Sequence, residues 1–247
     1  MNRADAAARR GLGLRLTCRI ERLAIAFSGA FDWLPNAGNH FHLASGDTAR
    51  YHLQDESGKV RADMRRLVIW DMMTLDGRFE GAGPWQLDFH GLVWGEELEA
   101  FSIAQLDEAG TLLFGRRTYE GMAAHWSEAT GPVAERMNAI EKRVATRAGV
   151  ASVWTNSRPL IGEIATHIDA LKAQPGKQDI FVFGSADLTA ALLDIDVVDE
   201  IRLCLVPTVL GGGTPLFRNG ERRNFDLAEA RPLRSGGVIL RYLRAKG

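Results

Sequence analysis

From residue 65 onward, short apolar runs of strand length alternate with segments of helical period. That alternation constrains the fold more than any other feature of the sequence. The strand-like runs are Leu67–Met72, Thr111–Phe114, Ala151–Thr155, Asp179–Phe183, Glu200–Val206, Phe225–Leu233 and Val238–Leu243. The helical segments are Gly95–Asp107, Arg116–Ala124, Pro132–Arg143, Ile161–Ala173 and Ser185–Leu193. Such alternation implies βαβ units around a mainly parallel sheet. The last two strands are adjacent, joined by Arg234-Ser-Gly-Gly237, and predict an antiparallel hairpin, so the sheet is mixed. No internal repeat or linker interrupts 65–247, which predicts one domain.

Several predicted strands end in glycine-centred or polar turns. Thr111–Phe114 ends at Gly115, and Arg116, Arg117 and Thr118 open the next helix. Free N–H groups, the positive end of the helix dipole and two guanidinium groups make that start a phosphate site. Phe181-Val-Phe-Gly184 is followed by Ser185, placed to cap a helix that continues through Ala186 and Leu188. The same sequence also suits an ordinary turn with a serine cap. Val206 to Phe217 carries Gly211, Gly212 and Gly213, which allow close approach of a ligand or simply a pliable loop. Thr155-Asn-Ser-Arg158 offers polar groups suited to an adenosine ribose or its 2′-phosphate. Open α/β sheets bind ligands beyond the carboxyl ends of their strands, and all four segments are predicted there. Neither GxGxxG with a downstream acid nor GxxxxGK[ST] occurs.

Composition sets the class. Apolar residues make up 46% and charged residues 25%, with a net charge of −1, which suits a soluble globular protein and gives no reason to invoke nucleic acid. Cys18 and Cys204 are distant and form no CxxC. That argues against a zinc site or a disulfide framework and fits a reducing cytoplasm. No apolar run reaches the roughly 18 residues of a membrane helix. Residues 1–63 lack a clear period and gather Arg3, Arg9, Arg10, Arg15, Arg19 and Arg22. They read as a poorly ordered extension, with a weak targeting peptide as the other reading. Met64 precedes the first clean strand and suits a true or alternative start.

Taken in order, Thr74-Leu-Asp-Gly77, Gly115-Arg-Arg-Thr-Tyr-Glu120, Phe183-Gly-Ser185, Asp199-Glu-Ile-Arg-Leu203 and Val209–Phe217 resemble the dihydrofolate reductase-like superfamily. Within it, the chain is most similar to the RibD C-terminal family, the reductase domain of riboflavin biosynthesis, as a stand-alone domain over 64–247. The resemblance implies an α/β three-layer fold, with a mixed, mostly parallel sheet between helices. It also implies NADPH as cofactor and commonly a homodimer acting on a small molecule, without nucleic acid or membrane. By that resemblance Gly115, Arg116, Arg117 and Thr118 meet cofactor phosphates, and Gly184, Ser185, Ala186 and Leu188 form the pyrophosphate turn. Asn156 and Ser157 lie near the 2′-phosphate. Thr74 and Gly77 lie over the nicotinamide, and Gly211 and Gly212 complete the site.

The zinc deaminase motifs HxE and PCxxC are missing, as is the full basic set for a ribose-phosphate substrate. The implied activity is an NADPH-dependent reduction of a small, heterocyclic substrate, similar to 5-amino-6-(5-phosphoribosylamino)uracil reductase. The alternative is a nucleotide-binding protein of the same fold without catalysis. Asp76 is the candidate proton donor, although Asp-Gly is also a common turn pair. Asp88, Glu96 and Glu97 are candidates for an acid facing the substrate. Trp85, Asp88 and His90 lie in a segment able to cover a flat ring, or equally in a surface loop. His125, Trp126 and His167 read as structural or surface residues, and Cys204 as an inert core thiol. A chain beginning at Met64 should stay soluble and melt with the full chain in a thermal scan; aggregation would contradict that start.

Overall fold

The computed structural model describes residues 64–147, 149, 154–176, 178–218 and 220–245. The reading of residues 1–63 and most of the predicted strand Ala151–Thr155 lie outside these. Strand β1 (Leu67–Thr74) enters first, followed by the short β2 (Arg78–Glu80). Next come α1 (Glu96–Glu108), β3 (Ala109–Gly115), α2 (Arg116–Trp126), α3 (Pro132–Ala139), β4 (Glu141–Thr146) and β5 (Ser157–Ile161). Then follow α4 (Ile164–Lys172), β6 (Asp179–Phe183), α5 (Ala186–Asp194), β7 (Glu200–Val206), β8 (Thr214–Pro215), β9 (Phe225–Pro232) and β10 (Val238–Arg244). Eight strands form one sheet in the order β5-β4-β3-β6-β1-β7-β10-β9. The first six in that order are parallel, and β10 and β9 are added antiparallel as the expected hairpin. Strands β2 and β8 make a separate two-stranded ribbon.

The sheet separates two apolar layers, because side chains alternate across it. On one face Val68, Trp70 and Met72 of β1 join Leu98 and Phe101 of α1, Tyr119 of α2 and Met137 of α3. On the other, Leu67 and Ile69 join Ile168 of α4 and Leu188 and Leu192 of α5. Central strands buried on both faces have to be nearly continuously apolar, as β1, β3 and β6 are. Among the described residues no helix is long and apolar enough to cross a membrane.

One boundary differs from the sequence reading. The predicted helix Pro132–Arg143 stops at Ala139, because Ile140 turns extended (φ −66°, ψ 144°), and Glu141–Thr146 becomes β4. The cause is Lys142, which fills an inward strand position. Its ammonium donates to Asn138 O (2.6 Å) and Thr155 O (3.1 Å) and lies 4.5 Å from the Trp154 ring centroid. Burial lowers its pKa to about 8. A charged side chain at a core position conceals a strand from any hydrophobic pattern.

At the amino ends of the central strands a buried ionic network sets register. Glu200 of β7 is fully buried and accepts from Arg202 (2.6 Å), Arg241 (2.8 Å) and Arg66 (2.9 Å). Arg66 also binds Asp179 at the start of β6, and Arg202 reaches Glu108 of α1 (2.7 Å). Burial opposes ionisation of Glu200, but the neighbouring guanidinium groups prevail and hold its carboxyl below the usual range. Glu200→Ala leaves those guanidiniums without their shared partner. It should cost about 3–5 kcal/mol in urea unfolding; a loss below about 1 kcal/mol, the size of an exposed pair, would refute the network's role.

Candidate functional site

The carboxyl ends of the parallel strands converge on a cavity of about 350 Å³. Two turns meet at its floor. Gly115 ends β3 and α2 begins at the next residue; a Cβ on Gly115 would stand 2.6 Å from Ser185 Oγ. Its φ of −74° is open to any residue, so what favours glycine there is contact: an added Cβ would push the Ser185 hydroxyl from its place. Gly184 (φ +67°) and Ser185 (φ +72°) are both left-handed. Successive backbone N–H groups in turns of this kind make anion-binding concavities. A left-handed serine carries strain of about 1 kcal/mol or more, of the kind that gathers at functional sites. Ser185 Oγ accepts from Leu188 N (3.4 Å) and so caps α5.

The other predicted residues divide between the cavity wall and its surroundings. Arg117, Thr118, Gly184, Ser185 and Ala186 line the cavity, and the Thr118 methyl faces Gly184. Arg116 points away and pairs with Glu120 (3.1 Å) along α2. Leu188 is a core residue that contributes its backbone N–H to the cap. Thr74 Oγ1 donates to Asp76 Oδ1 (2.6 Å) and accepts from Arg78 N (2.9 Å). Gly77 (φ +76°) closes the turn onto Thr74 O.

Asp76 does not suit proton donation. Besides the Thr74 hydroxyl, it accepts from Leu210 N (3.2 Å) and Gly211 N (2.9 Å). The Thr74 hydrogen bond leads the causes that hold its carboxyl below the usual range. Asp76 is an ionised anchor that ties the Thr74–Gly77 turn to the Gly211–Gly212 loop, and neither glycine lines the cavity.

Asn156 and Ser157 lie at the opposite edge of the sheet. Asn156 O accepts from Lys142 N (2.8 Å) and its amide donates to Ala139 O (3.0 Å). Ser157 begins β5 in register with Lys142. The physical reason is the β4 boundary: the strand of this region is Glu141–Thr146, so the later polar residues fall at the amino end of β5. Ala145 pairs with Gly115, so Thr146 and the exposed Arg147 follow just beyond it at the carboxyl end of β4. Burial of Lys142 and Val144 at alternate positions is the signal that marks them.

The cavity walls include residues with no motif. Asp71 sits at the end of an apolar run in β1, buried beneath the Gly184 turn, with Oδ2 unpartnered among the described residues. Burial pushes its carboxyl well above the usual range, against a hydrogen bond from the Gly184 amide. Trp126, read from sequence as structural or surface, lines the cavity along with Trp70, Trp94, Met122 and Met137. Trp85 and His90 also line it, whereas Asp88, Glu96 and Glu97 do not; Glu97 is engaged by Arg234 (2.7 and 3.0 Å). Trp85 (φ +61°) closes the rim by lying against Gly121 of α2, where a Cβ would stand 1.8 Å from the ring. Cys204 is a buried core thiol with its pKa raised by burial to about 11. Among the described residues no cluster of three metal-ligating side chains occurs.

Comparison with known proteins places this geometry. The uncharacterized protein YyaP of Bacillus subtilis (strain 168) is 28% identical over 185 residues, covering 72% of this chain and 94% of that protein. A crystal structure of a protein from Shewanella sp. PV-4, ascribed to riboflavin biosynthesis, superposes with a TM-score of 0.63 at 17% identity, covering 73% of this chain and 99% of that one. Dihydrofolate reductase from Enterococcus faecalis, solved with NADP(H), superposes with a TM-score of 0.50 at 16% identity, covering 73% and 97%. The fold is thus dihydrofolate reductase-like. Residues 66–239 match the model of the RibD C-terminal domain, and the chain belongs to that family.

Proposed function

We propose that the protein is an NADPH-dependent reductase of a small ring compound. The observation that carries this reading is the doubled turn: Gly115 packed against Ser185, with the starts of α2 and α5 side by side at one end of an aromatic-lined cavity. Two adjacent helix starts and two left-handed residues form a cradle for a diphosphate. Gly115 and Gly184 let the two turns pack together, with the Ser185 hydroxyl and the Thr118 methyl in the space their side chains would fill, and the paired helix starts so formed fit a dinucleotide. NADPH, when bound, supplies the hydride.

The chain's own residues hold and shelter. Arg117, with the Ser185 and Ala186 amides, grips the diphosphate as a charge-assisted donor. Arg147, one strand outward from Gly115, is placed to meet the 2′-phosphate. Asp71 lies under the phosphate turn, where burial disfavours its charged form. Trp85, packed on Gly121, narrows the rim. Family resemblance supports a homodimer in the reducing cytoplasm and the domain bounds 64–247. The anchoring of Asp76 favours the second reading, a nucleotide-binding protein without catalysis; the aromatic-lined cavity beside the doubled turn favours the reductase.

Calorimetric titration tests the cofactor. NADPH should bind, Arg117→Ala should weaken it by about tenfold or more, and Arg147→Ala should weaken NADPH by about tenfold while leaving NADH nearly unchanged. Binding of neither nucleotide would end the reading. The pH dependence of stability tests Asp71. Its folded pKa is raised, so its contribution is full below the unfolded value and is lost as pH rises through the folded one. Asp71→Asn should therefore raise the thermal midpoint at pH 7 by about 2–4 °C and leave it unchanged below pH 4. An equal shift at both pH values would show that the buried charge is not the cause.

A further inference from the structure

The cavity has two chemically distinct ends. Both guanidinium groups that line it, Arg117 and Arg218, stand by the Ser185–Asp187 turn, and Arg218 is ion-paired with Asp187. The aromatic end is built by Trp94, Trp126, Met122 and Met137, with the Trp70 ring turned towards the same layer, which holds Phe101 and Leu106. Trp70 is held against Phe101 (centroids 5.1 Å apart) and Trp126 against Met122 sulfur (3.3 Å). Its polar groups are few. Ser102 Oγ is turned back onto Leu98 O (2.8 Å). Glu80 is engaged by Trp85 N (2.6 Å) and Thr214 Oγ1 (3.3 Å). His90 lines the same end, and its Nε2 is buried with no hydrogen-bond partner among the described residues.

We infer that the aromatic end takes a planar, uncharged ring compound without a phosphate, with His90 as its polar anchor. Flat indole faces and methionine sulfur match a flat ring. No described cation at that end is available to a phosphate, and a buried unpaired anion is strongly disfavoured. A buried, unpartnered ring nitrogen is restored by one hydrogen bond from a seated ligand. Burial lowers the His90 pKa to about 4, so the imidazole is neutral at ordinary pH and offers a hydrogen bond without attracting an anion. The inference deepens the reductase reading, since it takes the opposite end as the nucleotide end, and it separates this chain from relatives that act on phosphoribosyl compounds.

Tryptophan fluorescence gives a direct test, because four indoles line the cavity. The titration uses the nucleotide-free full chain, so its outcome does not depend on whether NADPH binds. Lumazine, flat and uncharged, should quench with a Kd at least about tenfold lower than that of 5-amino-6-(5-phosphoribosylamino)uracil. His90→Leu should weaken lumazine about tenfold, whereas His90→Gln, which keeps a hydrogen-bonding group, should stay within about threefold of the parent. Circular dichroism melting confirms that both variants fold. Equal or tighter binding of the phosphoribosyl compound, or no binding of lumazine, would overturn the substrate class. Unchanged lumazine affinity in a folded His90→Leu protein would overturn the anchor.

Discussion

The contact between the turn after β3 and the turn after β6 organises this molecule. At Gly115 the backbone comes so close to Ser185 that a single added carbon would lie 2.6 Å from its hydroxyl. Because the turns touch, α2 and α5 begin side by side and their unpaired N–H groups share one floor. The two helices belong to opposite apolar layers, Tyr119 to one and Leu188 to the other. The site is therefore the place where the layers meet over the carboxyl edge of the sheet, as expected where an open α/β sheet binds a ligand.

That edge is held in place from the opposite one. Arg66, Asp179 and Glu200 stand at or beside the starts of β1, β6 and β7, and their ion pairs fix how those strands align. Buried ion pairs add little net stability but strongly penalise a misregistered state in which one partner is lost. A one-residue slip of β1 would carry Asp71 away from the Gly184 turn and reverse its apolar faces. The network at the base and the cavity at the top are linked through strand register.

Much of this was legible in the sequence because its signals are local. Gly115 followed by Arg116, Arg117 and Thr118, and Gly184 followed by Ser185, each name a strand end, a turn and a helix start within a few residues. The resemblance to RibD C-terminal domains rests on the same segments. The parts that escaped depend on distant partners. Lys142 conceals β4 because Asn138, Thr155 and Trp154 receive its ammonium. That shift moved Asn156 and Ser157 to the far edge and set Arg147 just past the carboxyl end of β4, the strand next to β3. Asp71 lies hidden in an apolar run, and Asp76 is a ligand-facing acid only until Leu210 and Gly211 are seen to bind it. The aromatic wall draws Trp70, Trp94 and Trp126 from separate elements, so no linear motif announces it.

Backbone amide shifts followed by NMR as NADPH is added to the full chain test the doubled turn most directly. The account predicts that the largest changes fall at Gly115–Thr118 and Gly184–Asp187, with Arg147 next and Asn156 and Ser157 unmoved. Changes centred on Thr155–Ser157, with the Gly184 turn silent, would contradict it.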